Sequence, residues 1–235
     1  FQQIFSRISM GLNHEEWAEV YRKLIYWELE LDKSKTAGMR DVLAMQKSEA
    51  NTEFCKFIVK NYKNWLSKPD ANTPTMSHNL FKEKVFPFIE PGIPTFLILI
   101  DNLRFDQWKV IQPTISESFR LTDEATYYSI LPTSTHYSRN AMFAGMTPLE
   151  IEKRLPNFWL NDEEEGGKKL HEKDFLEDQI LRSKKNLKFS YTKITNFNDG
   201  KLLSDNIYNL LNNDLNVIVY NFVDLLSHSR TEMDV

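Results

Sequence analysis

Apolar residues recur at helical spacing in the first quarter of the chain. In HEEWAEVYRKLIYWELELDK (14–33) they lie mostly three or four positions apart, which predicts an amphipathic helix. Asn13 is placed to cap this helix, and two glutamates occupy its first turn, where the helix dipole favours acids. A second pattern of this kind spans about 39–65, and residues 1–10 could form a third, shorter helix. Together they predict a small helical bundle with an aromatic core.

The pattern changes after residue 66. Residues 67–79 are polar, contain two prolines and lack periodicity, which is typical of a linker. From residue 95 onward, strand-like and helix-like segments alternate, which favours an α/β fold. The strands TFLILI (95–100) and NVIVYNFV (216–223) are apolar on both faces, as in a parallel sheet covered by helices. We predict a helical bundle (1–66), a linker (67–79) and an α/β domain (80–235). Further strands are predicted at 121–130 and 186–194, and further helices at 170–184 and 199–213.

The composition narrows the class of protein. Of the 235 residues, 41% are hydrophobic and 13% aromatic, which is typical of a packed globular chain. The net charge of -4 lacks the basic excess of a non-specific nucleic-acid binder. No apolar run approaches the roughly 20 residues of a membrane span, so we expect no membrane partner. The single cysteine, Cys55, excludes an internal disulfide and favours a cytoplasmic location, and we expect its thiol to be buried on an apolar helix face.

Two acidic residues directly follow buried strands. Asp101 follows FLILI, and Asp224 follows VIVYNFV. In open α/β sheets, sites form at the carboxyl ends of the strands, and a carboxylate that emerges there is costly unless another charge compensates it. A metal cation bound between the two would do so. His228 lies four residues after Asp224, so a helix there would place both side chains on one face, and mixed oxygen and nitrogen ligands suit zinc.

Three hydroxyl side chains crowd a predicted strand-to-helix junction in LPTSTHYSRNAMFAG (131–145), namely those of Thr133, Ser134 and Thr135. The preceding strand could deliver Thr135 to the same sheet edge as the two aspartates. A free threonine is a poor nucleophile, but a coordinated zinc ion lowers its pKa and makes an alkoxide available near neutral pH. Backbone N–H groups at the start of the helix would lie close to an attacked phosphoryl oxygen.

Each candidate also has a purely structural interpretation. Asp224 could cap a helix while His228 is an ordinary surface residue. One hydroxyl of the cluster could cap the helix that follows it. The two interpretations are compatible, because one residue of the cluster could cap the helix while its neighbour takes part in the reaction.

The motifs IDNLRFDQW, LPTSTHYSRNAMFAG and VYNFVDLLSHSR, in this order, resemble the PglZ-type branch of the alkaline phosphatase superfamily. Upstream, the segment with YRKLIYWELEL resembles the helical bundle that precedes this domain in response regulators of type IX protein secretion. The resemblance covers nearly the whole chain, and the three motifs together are fairly specific. It implies an alkaline-phosphatase-like sheet covered by helices and preceded by a small helical bundle.

The resemblance also implies a set of site residues. In that superfamily two zinc ions hold a phosphate ester while a serine or threonine attacks phosphorus. Asp101 would be a ligand of one zinc ion, and Thr135 would be the nucleophile that touches this ion. Asp224 and His228 would serve the other zinc ion. Thr135 is preferred over Thr133 because PTST matches a proline-threonine-any-threonine pattern in which the second threonine attacks.

Three more residues follow from their position in these motifs. His136 and Asn140 are near enough to Thr135 in sequence to contact the phosphate. Arg104 lies close to Asp101 in sequence, and we expect it to anchor this loop through a salt bridge.

The function implied is that of a zinc-dependent phosphodiesterase acting on nucleotides or oligonucleotides, the output domain of a two-component response regulator that controls type IX secretion. Its partners would be a sensor histidine kinase, a sigma factor and a second copy of the chain. The alternative is a regulatory scaffold module with a structural metal site, in which aromatics such as Tyr26 and Trp27 form a dimer or partner surface. A sulfatase or phosphomutase relative would share the same fold.

The resemblance finally sets an expectation about completeness. It implies a receiver domain before Phe1, and an Asp-His pair and another His as metal ligands after the DxxxH motif. We therefore expect the chain to be a fragment that holds about half of the metal site. A half-complete site can leave the fragment inactive.

Overall fold

The computed structural model describes residue 8 and residues 11–33, 37–159 and 171–231, with the backbone alone described at 37, 222 and 228–231. The chain forms two compact units. The helical unit comprises Phe1–Pro74 and Arg104–Thr126, and the sheet unit comprises Thr75–Leu103 and Tyr127–Val235. The domain boundaries predicted after residues 66 and 79 stay predictions. Residues 104–126 belong to the helical unit. The helix predicted at 1–10 lies outside the described residues, apart from residue 8.

The helical unit is formed mainly by two long helices, α1 (His14–Lys33) and α2 (Ala37–Ser67), together with α3 (Phe105–Ser116). Most of the predicted apolar stripe of α1 is buried because it packs against α2. Tyr21 is the exception, at 48% exposed. The Trp17 ring meets the ring of Phe54 edge to face, with centroids 5.4 Å apart. The buried residues of α1 are Trp17, Val20, Leu24, Ile25 and Leu31.

Asn13 caps α1 through reciprocal hydrogen bonds, as the sequence predicts. Its Oδ1 accepts from the backbone N–H groups of Glu15 (2.9 Å) and Glu16 (3.0 Å). In return, the backbone N–H of Asn13 donates to Glu16 Oε2 (2.9 Å). The side chain of Asn13 thus satisfies N–H groups that have no partner within the helix.

Removing this cap gives a first testable prediction. Asn13→Ala is expected to lower the free energy of unfolding by about 1 kcal/mol, because the first-turn N–H groups lose their acceptor. Urea denaturation followed by circular dichroism measures the change. Asn13→Ser keeps an accepting oxygen and is the matched control, expected to retain most of the stability. If both variants lost the same free energy of unfolding, the capping hydrogen bonds would not be the cause of the loss.

A parallel three-stranded sheet with the order β1–β3–β2 is the centre of the sheet unit. Its strands are β1 (Thr95–Ile100), β2 (Phe189–Ile194) and β3 (Leu215–Tyr220). The last residues of β1 and β2 are both paired with Tyr220, so the three strands end at one edge. This architecture confirms the predicted α/β fold class and the parallel direction of the strands.

Among the described residues, the sheet unit also contains five α-helices: α4 (Asn140–Ala144), α5 (Pro148–Arg154), α6 (Glu172–Arg182), α7 (Phe197–Asp205) and α8 (Phe222–Thr231). One face of β3, the apolar sides of α4, α5 and α6, and the short helical turns Phe81–Val85 and Phe86–Phe88 form its core. The fully buried members of this core include Phe143, Ile151, Phe175, Leu176, Val217 and Val219. Within the described ranges, no helix combines the length and apolarity needed to cross a membrane.

Three predictions about local structure are wrong. The strand predicted at 216–223 ends at Tyr220, and the chain is helical from Phe222, so Asp224 does not directly follow a strand. Residues 121–130 form no regular strand, because their only ladder contact is a single bridge between Tyr128 and Met76. Cys55 is exposed, not buried. Its neighbours Phe54 and Phe57 supply the part of α2 that packs on the bundle core, and one residue along a helix turns the side chain by about 100° away from that face.

Candidate active site

The carboxyl edge of the sheet brings two sequence motifs side by side. The backbone N–H of Asp101 donates to the carbonyl of Tyr220 (3.1 Å), which continues the ladder one residue beyond β1. Asp101 and Asn221 therefore leave neighbouring strands at the same level, and such strands lie about 4.8 Å apart. Helix α8 begins at Phe222, so Asp224 lies in its first turn. Asp224 is half-buried.

A π-helical turn, Thr135–Arg139, leads directly into α4. Thr135 is half-buried at its start, whereas Thr133 and Ser134 are exposed. Ser134 occupies the capping position, yet within the described residues its side chain makes no capping hydrogen bond. Its backbone carbonyl accepts from the N–H of Ser138 (2.9 Å). The interpretation that a hydroxyl caps this helix is therefore wrong, and the three hydroxyls are not explained by capping.

Arg139 joins the Thr135 turn to the sheet edge. Its Nη1 donates to Asp101 Oδ2 (2.5 Å) and to Asn221 Oδ1 (2.9 Å). The arginine side chain is only 6% exposed, and that of Asp101 is 23% exposed. One buried guanidinium thus links the turn that begins with Thr135 to the residues that follow β1 and β3.

A buried carboxylate holds the other side of this guanidinium. Arg139 Nε donates to Oε1 of Glu172 (2.6 Å), the first residue of α6, and the Glu172 side chain is completely buried. The Tyr191 hydroxyl, from β2, donates to Glu172 Oε2. Burial raises the pKa of Tyr191 well above its usual value, and the neighbouring charge of Glu172 raises it further. Tyr191 therefore remains a neutral hydrogen-bond donor at physiological pH.

The sequence analysis missed Arg139, Glu172 and Asn221 as members of this site. It assigned the loop-anchoring salt bridge to Arg104, which instead pairs with Asp106 through a 2.7 Å contact. The only available signal was the position of Arg139, one helical turn after Thr135 in the same motif. Nothing in the spacing of Glu172 points to the sheet edge, since it lies 33 residues from Arg139.

The remaining predicted site residues lie in different environments. His136 is half-buried in the Thr135 turn, whereas Asn140 is 4% exposed and belongs to the buried side of α4. Asn140 Oδ1 has no hydrogen-bond partner among the described atoms. Residues 224–228 are helical, which places these two positions one turn apart on one face of α8. The side chain of His228 lies outside the described residues.

The candidate residues carry donor groups of the kind that zinc accepts. Arg139 binds Oδ2 of Asp101, and Oδ1 of the same carboxylate is a further possible ligand. The Thr135 hydroxyl and the Asp224 carboxylate add oxygen donors, and an imidazole at position 228 would complete a mixed set that zinc accepts. No three His, Cys, Asp or Glu side chains lie together as a metal-binding group in the part of the chain that is described. Among the described side chains, the candidate zinc ligands are therefore the carboxylates of Asp101 and Asp224, and the Thr135 hydroxyl is a further oxygen donor.

Comparison with known families identifies both parts of the chain. Residues 80–234 match the family model described as the BREX system PglZ alkaline phosphatase-like domain. Residues 1–66 match the model described as the PorX response regulator linker domain. No curated protein matches the chain.

Proposed function

Because the chain belongs to the PglZ family of alkaline phosphatase-like domains, we propose that it is a zinc-dependent phosphodiesterase that acts on nucleotides or oligonucleotides. The observation that carries this proposal is the contact of Arg139 with Asp101 and Asn221. This contact supports a shared site for Thr135 and the sheet-edge carboxylates, because Arg139 lies in the turn that Thr135 begins. Phosphoryl transfer needs such a nucleophile beside a positively charged group that stabilises the negative charge developing on the phosphoryl oxygens.

Thr135 is the proposed nucleophile. Its side-chain oxygen attacks phosphorus and loses its proton to solvent, while the bond from phosphorus to the leaving alcohol breaks. The alcohol takes up a proton, and water then cleaves the Thr135–phosphate ester to release a phosphate monoester. Asp101, Asp224 and His228 would hold zinc. Zinc bound there would lower the pKa of the threonine hydroxyl and stabilise charge on the attacking and leaving oxygens.

The linker match supports a place in a two-component system. In this proposal the chain is part of a PorX-type response regulator that acts in the cytoplasm and controls type IX secretion. A sensor histidine kinase would supply the input, and a sigma factor or a second copy of the chain would receive the output. His136 is the described residue best placed beside Thr135 to contact the bound phosphate, since Asn140 is buried.

A chromogenic phosphodiester tests the proposed activity. The full-length protein with zinc is expected to hydrolyse bis(p-nitrophenyl) phosphate, and excess EDTA is expected to stop the reaction, because the zinc-dependent activation of Thr135 is lost. EDTA already saturated with zinc is the matched control and should leave the rate unchanged. Hydrolysis that survives complete removal of zinc would rule out a zinc-dependent mechanism.

The second candidate is a regulatory scaffold whose metal site is structural. Its support is Tyr26, which is 57% exposed on α1 and contacts the half-buried Trp27 with ring centroids 5.4 Å apart. An exposed aromatic next to an anchored one is suited to a protein partner. For a scaffold we expect no hydrolysis in the assay above, together with a lower melting temperature after EDTA treatment.

A further inference from the structure

We propose that Glu172 and Arg139 act together as a positioning pair for the candidate metal site: Glu172 holds the guanidinium of Arg139, which in turn orients the metal ligand Asp101. This inference deepens the proposed function and depends on it. Both residues act through Asp101, and neither is assigned a contact with substrate.

The first support is the geometry of the guanidinium, which is held on two sides. Nε faces Glu172 (2.6 Å), and Nη1 faces both Asp101 (2.5 Å) and Asn221 (2.9 Å). The group is planar, and its donors form a rigid fork. Fixing Nε on one carboxylate therefore also fixes the direction in which Nη1 points. The position of Glu172 thereby determines where Arg139 holds the Asp101 carboxylate.

The second support is the gradient of burial along the three residues. The exposed fraction of the side chain is 0% for Glu172, 6% for Arg139 and 23% for Asp101. The inner end is packed in the core, where rotamers are fixed, and the outer end reaches the edge of the sheet. A ligand that is supported from a rigid interior is held more accurately than one on a free loop.

The third support is the charge of the group. Asp101 and Glu172 share a single guanidinium, so these three side chains carry an excess of one negative group. A divalent cation bound to Asp101 would be attracted by this excess. The hydroxyl of Tyr191, which donates to Glu172, adds no charge of its own.

The same arginine also limits the position of Thr135. Arg139 ends the turn that begins at Thr135, and its side chain is bonded to the residues after β1 and β3. The pair therefore sets the distance between the Thr135 turn and the Asp101 carboxylate. Partners that hydrogen-bond to a metal ligand in this way change metal affinity by about 10- to 100-fold when they are removed.

The test is a charge-neutral double variant, Arg139→Gln with Glu172→Gln. It removes one positive and one negative charge, so the net charge is unchanged and the completely buried residue 172 is not left as a carboxylate without a partner. Zinc affinity is measured by competition with a chromophoric chelator, with folding checked by circular dichroism. We expect the dissociation constant for zinc to rise about 10- to 100-fold. Lys56→Gln with Glu53→Gln, which neutralises an exposed ion pair on α2, is the control expected to leave affinity unchanged.

A mutant cycle separates positioning from a general effect on structure. If the pair acts through Asp101, the double variant should cause no further loss of zinc affinity in an Asp101→Asn background. Full additivity with Asp101→Asn would overturn the inference, and so would parent-like affinity of the double variant. If the parent chain itself binds no zinc, the metal-dependent function fails and takes this inference with it. If the parent chain binds zinc and the double variant binds it equally well, only the positioning role of Glu172 and Arg139 is ruled out.

Discussion

Thr135→Ala is expected to reduce phosphodiester hydrolysis by about 10³-fold or more while zinc stays bound. The alanine lacks the oxygen that forms the ester to phosphorus, so the covalent route is closed. Zinc should remain because Asp101, Asp224 and His228 are unchanged. Turnover of bis(p-nitrophenyl) phosphate by the full-length protein measures the first effect, and metal analysis of the same sample measures the second.

Thr133→Ala is the matched control for this prediction. Thr133 carries the same hydroxyl two residues earlier in the motif, but it is exposed, whereas Thr135 is half-buried at the start of the turn that Arg139 ends. We expect the Thr133 variant to keep the parent rate. Unchanged turnover after Thr135→Ala would remove Thr135 from the mechanism, and loss only after Thr133→Ala would transfer the role to that residue.

Arg139→Met is expected to lower the free energy of unfolding by about 3–5 kcal/mol. Glu172 is completely buried and would lose the guanidinium that it binds, while Tyr191 would remain as a neutral donor. The cost of a buried carboxylate without a counter-charge is several kcal/mol, far more than the packing change from arginine to methionine. Equilibrium denaturation in urea, monitored by fluorescence, measures the loss.

Two further variants show whether the buried charge is the cause. Arg154→Met removes an arginine whose side chain is 50% exposed and whose contact with Asp178 is 3.2 Å, so we expect a loss of about 1 kcal/mol or less. Arg139→Met combined with Glu172→Met removes both charges and should recover most of the stability lost by the single variant. A double variant as unstable as the single one would instead assign the loss to packing.

Much of the fold could be predicted from local pattern. The period of apolar residues in 14–33 and the cap at Asn13 depend on neighbours along the chain, and both agree with the structure. The apolar segments 95–100 and 216–223 indicated strands of a parallel sheet for the same reason, although Ile98 of β1 is 59% exposed and β3 ends at Tyr220. The pattern failed where no partner strand exists, as in 121–130.

The candidate site was less accessible to sequence reasoning. Asp101, Thr135 and Asp224 were found because each lies at the end of a predicted element, and their roles stay predictions. Arg104 was a poor choice as anchor because closeness in sequence says little about the direction of a side chain. The true partner of Asp101, Arg139, lies 38 residues away, and only the packed sheet brings the two together.

The sequence by itself therefore determined most of the helices, the parallel strands of the sheet and the acidic residue directly after β1, because these follow from interactions within a few residues. Tertiary structure alone decided that Glu172, Arg139 and Asp101 form one buried charged group, and that Cys55 faces outward. The physical reason is that burial and counter-charge depend on distances through space between segments that are far apart in the chain.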